Sequence, residues 1–134
     1  ERDTRRGIHI LLTALEMSDG FRRQIADLRD ARIHDVTPEV GPLRRLISVI
    51  AASNILVASS TGPLHLASGL GIKTVGIYCR RPLLRAEHWG ALGPVAINLE
   101  VPEEYCSAHC SAQGGPCGIE GGIGVGDVLQ HLDI

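Results

Sequence analysis

Residues 54–71 read NILVASSTGPLHLASGLG. The first part is an apolar run between polar residues, which predicts a short buried strand that ends at Ser59. The second part begins at Gly62-Pro63 and stops at Gly71, and proline at the start with glycine after the end is typical of a helix. The stretch therefore predicts a strand, a tight turn and a helix, which is the repeating unit of a parallel α/β sheet.

The same alternation of apolar runs and helical periodicity continues on both sides of this stretch. The predicted strands are residues 8–14, taken as buried, then 33–36, 54–59, 73–79 and 94–99. The predicted helices are one capped by Ser18 with Phe21, Ile25 and Leu28 on its apolar face, then 43–51, 63–70 and 126–132, the last with Val125, Val128, Leu129 and Leu132 facing inward. This order predicts an α/β fold with a three-layer, Rossmann-like, mostly parallel sheet.

Composition and charge narrow the class of protein. The chain has 134 residues, 44% of them hydrophobic, which suits one domain spanning 1–134. Its net charge of -2 argues against a nucleic-acid surface, which needs a basic excess. No apolar run approaches the ~20 residues of a membrane span. The charged residues 1–6, followed by Gly7, resemble the end of a helix, so we expect the first strand of the sheet to precede residue 1. The alternative is a frayed, polar N-terminus.

The turn between strand and helix has the chemistry of an anion site. In open α/β sheets, ligands bind beyond the carboxyl ends of the strands. Ser60 and Thr61 offer hydroxyl groups, Gly62 lets an anion approach the backbone, and Pro63 lacks only an N–H that the helix would not use. The helix N-terminus itself favours negative charge, and His65 in its first turn can donate to phosphate. The alternative is an ordinary helix start whose histidine caps or packs.

Residues 58–71 (ASSTGPLHLASGLG) resemble the signature of family 9 glycosyltransferases, typified by ADP-heptose:lipopolysaccharide heptosyltransferases. That signature is Asp-(Thr/Ser)-Gly-x-x-His-Leu-Ala-x-Ala-Leu-Gly. The flanking residues 43–58 and 73–78, and the turn His88-Trp89-Gly90, are also similar to the family's pattern. The resemblance covers about residues 7–132, and its most specific part is the motif around His65.

The resemblance implies the C-terminal half of a GT-B glycosyltransferase, in which this half binds the nucleotide-sugar donor. It places Thr61, Gly62 and His65 on donor-phosphate positions. It places Glu16 or Asp19 near an acidic residue that contacts the nucleotide ribose, although both residues would equally suit the start of a helix. An N-terminal domain, not represented in this chain, would supply most of the acceptor site and the catalytic base.

The chain departs from the family pattern at two places. Ser60 stands where the family has aspartate, so a carboxylate beside the diphosphate is lost. Residues 79–82 (CRRP) replace the usual Gly-Pro-Thr turn. Arg80 and Arg81 follow the predicted strand 73–79, so either could pair with phosphate at the sheet's carboxyl end. The alternative is that they are solvated surface arginines.

The Gly-rich segment 106–124, predicted as a loop, carries Cys106, Cys110 and Cys117, with His109 beside them. The resemblance extends to this segment, since many family members have a cysteine-bearing tail. Zinc bound with Cys79 or His88 as the fourth ligand is one interpretation, but the spacing is unlike that of paired C-x2-C sites. Reduced thiols and a disulfide are the alternatives, and no metal or cofactor is our expectation.

We therefore expect the donor-binding domain of an inverting glycosyltransferase that moves a sugar, such as heptose from ADP-heptose, to a bacterial surface glycan such as lipopolysaccharide core. Its partners would be the donor, a glycan or lipid-linked acceptor and the N-terminal acceptor domain, with self-association through an uncovered sheet edge. Its place would be the cytoplasm or the cytoplasmic face of the inner membrane. Because no residue is a convincing catalytic base, the isolated chain should be inactive. The alternatives are a non-catalytic nucleotide- or anion-binding module and a zinc-stabilised interaction domain.

Overall fold

The computed structural model describes residues 7–110 and 118–132. The predicted strands and helices occur in the predicted order, and the structure adds two helices that were not predicted, Ala86–Trp89 and Glu103–His109. The strands are β1 (Ile10–Leu12), β2 (Ile33–Asp35), β3 (Ile55–Ser59), β4 (Lys73–Tyr78) and β5 (Ala96–Glu100). The helices are α1 (Asp19–Asp27), α2 (Leu43–Ala51), α3 (Gly62–Gly69), α4 (Ala86–Trp89), α5 (Glu103–His109) and α6 (Val125–Leu129), and a 3-10 turn covers Ile119–Gly121.

Every strand pair within the described residues is parallel. Strands β1 and β2 form a two-stranded sheet, and β3, β4 and β5 form a three-stranded sheet with β4 in the centre. The predicted α/β, Rossmann-like class with parallel strands is therefore confirmed. The chain divides into two compact units, the first within residues 1–49 and the second within residues 50–133.

The first unit contains the β1-β2 sheet and α1. Helix α1 begins as predicted, because the Ser18 hydroxyl accepts a hydrogen bond from the Phe21 amide at 3.2 Å. The prediction of a buried strand over residues 8–14 is wrong, since β1 has three residues and both Ile10 and Leu11 are exposed. Periodicity shows which residues are apolar but not how much neighbouring structure covers them, and β1 pairs with a single strand in this unit.

A hydrogen-bond network fixes the carboxyl ends of β1 and β2. The Thr37 amide donates to Asp35 Oδ1 at 3.0 Å, and the Ala14 amide donates to the Thr37 hydroxyl at 3.2 Å. The Arg22 guanidinium of α1 pairs with the Asp35 carboxylate. Hydrogen bonds from the Thr37 side chain and amide lower the pKa of Asp35, and the Arg22 charge adds to this effect. Asp35 therefore serves as an ionised acceptor that holds helix and strand ends together.

The core of the second unit lies between α3 and the sheet. Leu64 is fully buried, and Tyr78 and Ala91 are nearly so, packed against Leu56 and Ala58 of β3. The Tyr78 hydroxyl accepts a hydrogen bond from the Ala91 amide at 3.0 Å, and burial raises the pKa of Tyr78. Gly76 of β4 makes room for the Tyr78 ring. A Cβ at this position would lie 2.6 Å from the ring, so a larger residue would collide with it.

The C-terminal segment corrects two predictions. Helix α5 occupies part of the segment 106–124, which was predicted as a loop. The Tyr105 side chain lies so close to Gly121 and Gly122 that a Cβ at either position would collide with it. The Tyr105 hydroxyl donates to the Gly118 carbonyl at 2.6 Å. Glycine at these two positions therefore makes room for an aromatic ring, in addition to permitting turns.

The last helix is shorter than the predicted 126–132. Val125 and Leu129 are exposed, so the prediction that they face inward is wrong. A helix of five residues is too short to cover the apolar stripe that its sequence suggested. Among the described residues, no helix is long and apolar enough to cross a membrane.

Candidate functional site

The candidate site is the turn between β3 and α3. Strand β3 ends at Ser59, Thr61 is the extended N-cap residue with φ -139° and ψ 163°, and the helix starts at Gly62. Ser59 pairs in register with Ile77 near the carboxyl end of β4. The turn therefore lies at the carboxyl edge of the three-stranded sheet, where open α/β proteins bind ligands.

Among the first four residues of α3, only the Gly62 amide lacks an acceptor within the helix or its cap. The Leu64 and His65 amides donate to the Thr61 carbonyl at 3.1 and 3.4 Å. The Gly62 amide, in the first position of the helix, has no intrahelical acceptor. The aligned peptide dipoles add partial positive charge at this end. An anion at this turn would therefore meet the Gly62 amide and the partial positive charge of the helix end.

Some side chains of the turn hold the local structure together, and others are exposed to solvent. Thr61 does not cap the helix with its side chain, because its hydroxyl donates to the Ser59 carbonyl at 3.1 Å. This bond ties the strand end to the helix start. Ser60 and His65 are exposed, whereas Leu64 between them is buried and anchors the helix to the sheet. Pro63 is half-buried at the start of the helix, as predicted.

Gly62 has open space around it. A Cβ at this position would meet no atom within 4 Å, apart from its own neighbours in the chain and helix. The backbone is not in the left-handed region at Gly62, so packing and conformation in the second unit do not require glycine there. Glycine at this position would let a ligand approach the start of the helix closely.

A pocket of about 370 Å³ adjoins this turn. Its lining combines Ser59 and Ser60 with mainly apolar residues from the end of β4 and from later segments. The lining residues are Ser59, Ser60, Ile77, Tyr78, Cys79, Leu84, Trp89 and Ile119. Sequence reasoning identified Ser60 but missed Cys79, Leu84 and Trp89 as pocket residues. The position of Cys79 directly after β4 could have indicated it, since neighbouring parallel strands end at one edge.

Arg80 forms an ion pair with Glu103. Its Nη2 lies 3.6 Å from Glu103 Oε2 in the first turn of α5, and both side chains are partly exposed. An exposed pair of this kind contributes little stability, so the arginine can exchange partners. Arg80 does not belong to the pocket lining, and a phosphate contact for it stays a prediction.

Glu16 and Asp19 lie in the first unit, whereas the Ser60 turn lies in the second. Glu16 is exposed in the loop after β1, and Asp19 is exposed in the first turn of α1. Asp19 therefore lies at the start of a helix, which is the position predicted for it by the alternative to a ribose contact. The ribose contact inferred from the family resemblance stays a prediction for both.

The described part of the chain contains three of the four cysteines. They are Cys79, Cys106 and Cys110, each half-buried. Within residues 7–110 and 118–132, no group of three or more histidine, cysteine or acidic side chains could hold a metal ion. The zinc interpretation also involves Cys117, which lies outside the described residues.

Residues 2–114 match the family model described as glycosyltransferase family 9 (heptosyltransferase). The matched region runs from before β1 to after α5 and includes the turn from Ser60 to His65. Comparisons with curated proteins and with solved structures gave no match. The family match covers most of the chain and agrees with the parallel α/β topology around the turn. The chain belongs to glycosyltransferase family 9.

Proposed function

We propose that this chain is the donor-binding half of an inverting GT-B glycosyltransferase, which transfers a sugar such as heptose from a nucleotide-diphosphate sugar to a bacterial surface glycan such as lipopolysaccharide core. Membership of a glycosyltransferase family supports a donor and an acceptor as substrates. The observation that carries the proposal is the exposed N-terminus of α3 at the carboxyl edge of the sheet.

In the proposed reaction, an acceptor hydroxyl attacks the anomeric carbon while the bond from that carbon to the diphosphate oxygen breaks. Negative charge then grows on the leaving diphosphate. In this proposal, the Gly62 amide and the His65 imidazole stabilise that charge, and the Thr61 hydroxyl joins them by leaving the Ser59 carbonyl. Serine at position 60, in place of the family's aspartate, removes a negative charge next to the diphosphate.

The catalytic base belongs to another part of the enzyme in this proposal. The pocket lining contains no carboxylate and no histidine among the described residues. The acceptor hydroxyl would therefore be deprotonated by a group from an N-terminal acceptor domain. We place the enzyme at the cytoplasmic face of the inner membrane, where a soluble nucleotide sugar meets a lipid-linked acceptor.

Calorimetric titration of the chain with ADP, UDP and GDP tests the proposal. We expect binding of at least one of them, and we expect His65→Ala to weaken it by about tenfold or more, because a hydrogen bond to a charged group contributes roughly 1.5–3 kcal/mol. His131→Ala, at a histidine outside the turn, is the matched control and should leave the affinity unchanged. No binding of any of the three nucleotides, or equal affinity in the His65 variant, would contradict the proposal.

A further inference from the structure

We propose that Trp89, in the pocket beside the Ser60 turn, provides the surface on which the transferred sugar of the donor packs. This inference rests on the proposed donor-binding function. It adds a specificity-determining residue, Trp89, that lies outside the anion-binding turn.

Hydrogen bonds fix the Trp89 indole in place. Its Nε1 donates to the Leu83 carbonyl at 2.7 Å, and its amide donates to the Arg85 carbonyl at 3.0 Å. The next amide, of Gly90, donates to the Ala86 carbonyl at 2.7 Å. A Cβ at Gly90 would lie 2.4 Å from that same carbonyl oxygen, so only glycine can follow Trp89 in this conformation.

The segment after Trp89 is also anchored to the core. The Ala91 amide is shared by the Tyr78 hydroxyl and Asn98 Oδ1, each at 3.0 Å. Asn98 Nδ2 returns a hydrogen bond to the Ala91 carbonyl at 3.1 Å. Because Tyr78 and Ala91 are buried, the indole is attached to a rigid support.

Trp89 nevertheless remains 53% exposed, and it lines the pocket. Leu83, whose carbonyl it holds, has a φ of 70°, a left-handed conformation that is strained for leucine. Strain of this kind persists where the surrounding structure imposes it, and it concentrates at ligand sites. A rigid and exposed aromatic face supported by a strained loop is better explained by a ligand than by packing.

The position of the pocket selects the sugar as its occupant. Ser60 belongs both to the anion-binding turn and to the pocket lining, so the group bound there must be a close neighbour of the diphosphate. In a nucleotide sugar the transferred sugar is bonded directly to the diphosphate, whereas the base is separated from it by the ribose. A volume of about 370 Å³ is near the low end for small-molecule sites, which suits one ring of the donor.

The lining also matches a sugar chemically. A pyranose has C–H groups on the faces of its ring and hydroxyl groups around its edge. Trp89 and Leu84 provide apolar surface in the lining, and Ser59 and Ser60 are its serine residues, whose polar groups suit sugar hydroxyls. A nucleobase would instead need donors and acceptors matched to its fixed polar edge.

Binding measurements on the full chain test this subsite, with ADP, UDP and GDP compared with their glucose conjugates and with ADP-heptose. Trp89→Ala should weaken binding of the sugar conjugates about tenfold and leave binding of the free nucleoside diphosphates unchanged. Trp89→Phe keeps an aromatic face and should recover most of the loss. Leu92→Ala, at a side chain that is 82% exposed and outside the pocket lining, is the matched control.

Fluorescence gives an independent readout, because Trp89 is the only tryptophan in the chain. Its emission should shift to shorter wavelength with a sugar conjugate but not with the corresponding nucleoside diphosphate. Retained affinity for the nucleoside diphosphate shows that a variant is folded. Equal weakening of both ligand types by Trp89→Ala, or no weakening of either, would overturn the subsite. Failure of the wild-type chain to bind any nucleoside diphosphate would instead overturn the proposed function, and the subsite with it.

Discussion

The structure has open space beside Gly62 that a larger side chain could occupy. The position needs glycine neither for packing nor for its backbone conformation, since a Cβ there would meet no atom within 4 Å. Gly69, near the other end of the same helix, has the same open surroundings. The two glycines therefore differ in one respect that matters for function, which is that Gly62 lies at the helix N-terminus.

This difference gives a residue-scale prediction. Gly62→Ala should leave the fold intact, but its methyl group should obstruct the approach of phosphate and weaken nucleoside-diphosphate binding by about tenfold or more. Gly69→Ala is the matched control and should bind as the wild type does. Calorimetry with thermal unfolding of both variants checks the prediction, and normal binding by the Gly62 variant would show that no anion approaches that amide.

Single residues with local roles could be predicted from the sequence. Ser18 as a helix cap and Pro63 at a helix start depend on neighbours a few residues away. Trp89 could not be predicted as a pocket residue, because its position depends on the Leu83 carbonyl and on the attachment of Ala91 to Asn98. Those contacts become visible only when the strands are in register.

At the scale of the element, α3 ends in a Schellman motif. The Gly71 amide donates to the Ser68 carbonyl and the Ile72 amide to the Ala67 carbonyl, both at 3.0 Å. Gly71 takes a φ of 76°, the left-handed conformation that closes the motif. This end fixes where β4 can begin, and therefore where the carboxyl edge of the sheet lies relative to the helix start.

Gly71→Ala should destabilise the second unit by about 1–2 kcal/mol, because alanine is strained in the left-handed conformation. Gly69→Ala should instead stabilise it by up to about 1 kcal/mol, because that position is helical and open. Urea unfolding of the two variants measures both effects. Equal stability of the two variants would mean that the motif does not control the end of α3.

The same scale shows which elements a sequence can predict. Strands β3 and β4 and helix α3 lie within a residue of the predicted bounds, since apolar runs and glycine or proline signals mark both ends. Strand β1 and helix α6 were predicted too long, because burial depends on covering structure that periodicity does not contain. Helix α5 was not predicted at all, and its Tyr105 ring packs over glycines from a later segment.

On the scale of the whole molecule, the family match supports a glycosyltransferase domain, and we propose that this chain binds the donor while another domain completes the active site. The turn at α3 and the adjoining pocket lie within one compact unit. Glu16 and Asp19 lie in the other unit, so their contribution to nucleotide binding is a separate question from that of the turn. We expect the isolated chain to bind nucleotide and to transfer no sugar.

The central claim is that the residues from Ser60 to His65 hold the donor diphosphate. Nuclear magnetic resonance of the isotope-labelled chain tests it most directly, with titration of pyrophosphate and then of ADP, UDP and GDP. We predict saturable shifts that are largest for the amides of Ser60, Thr61, Gly62, Leu64 and His65 with pyrophosphate and with any nucleotide that binds. Saturable shifts centred on other residues, or none with any of these ligands, would contradict the claim.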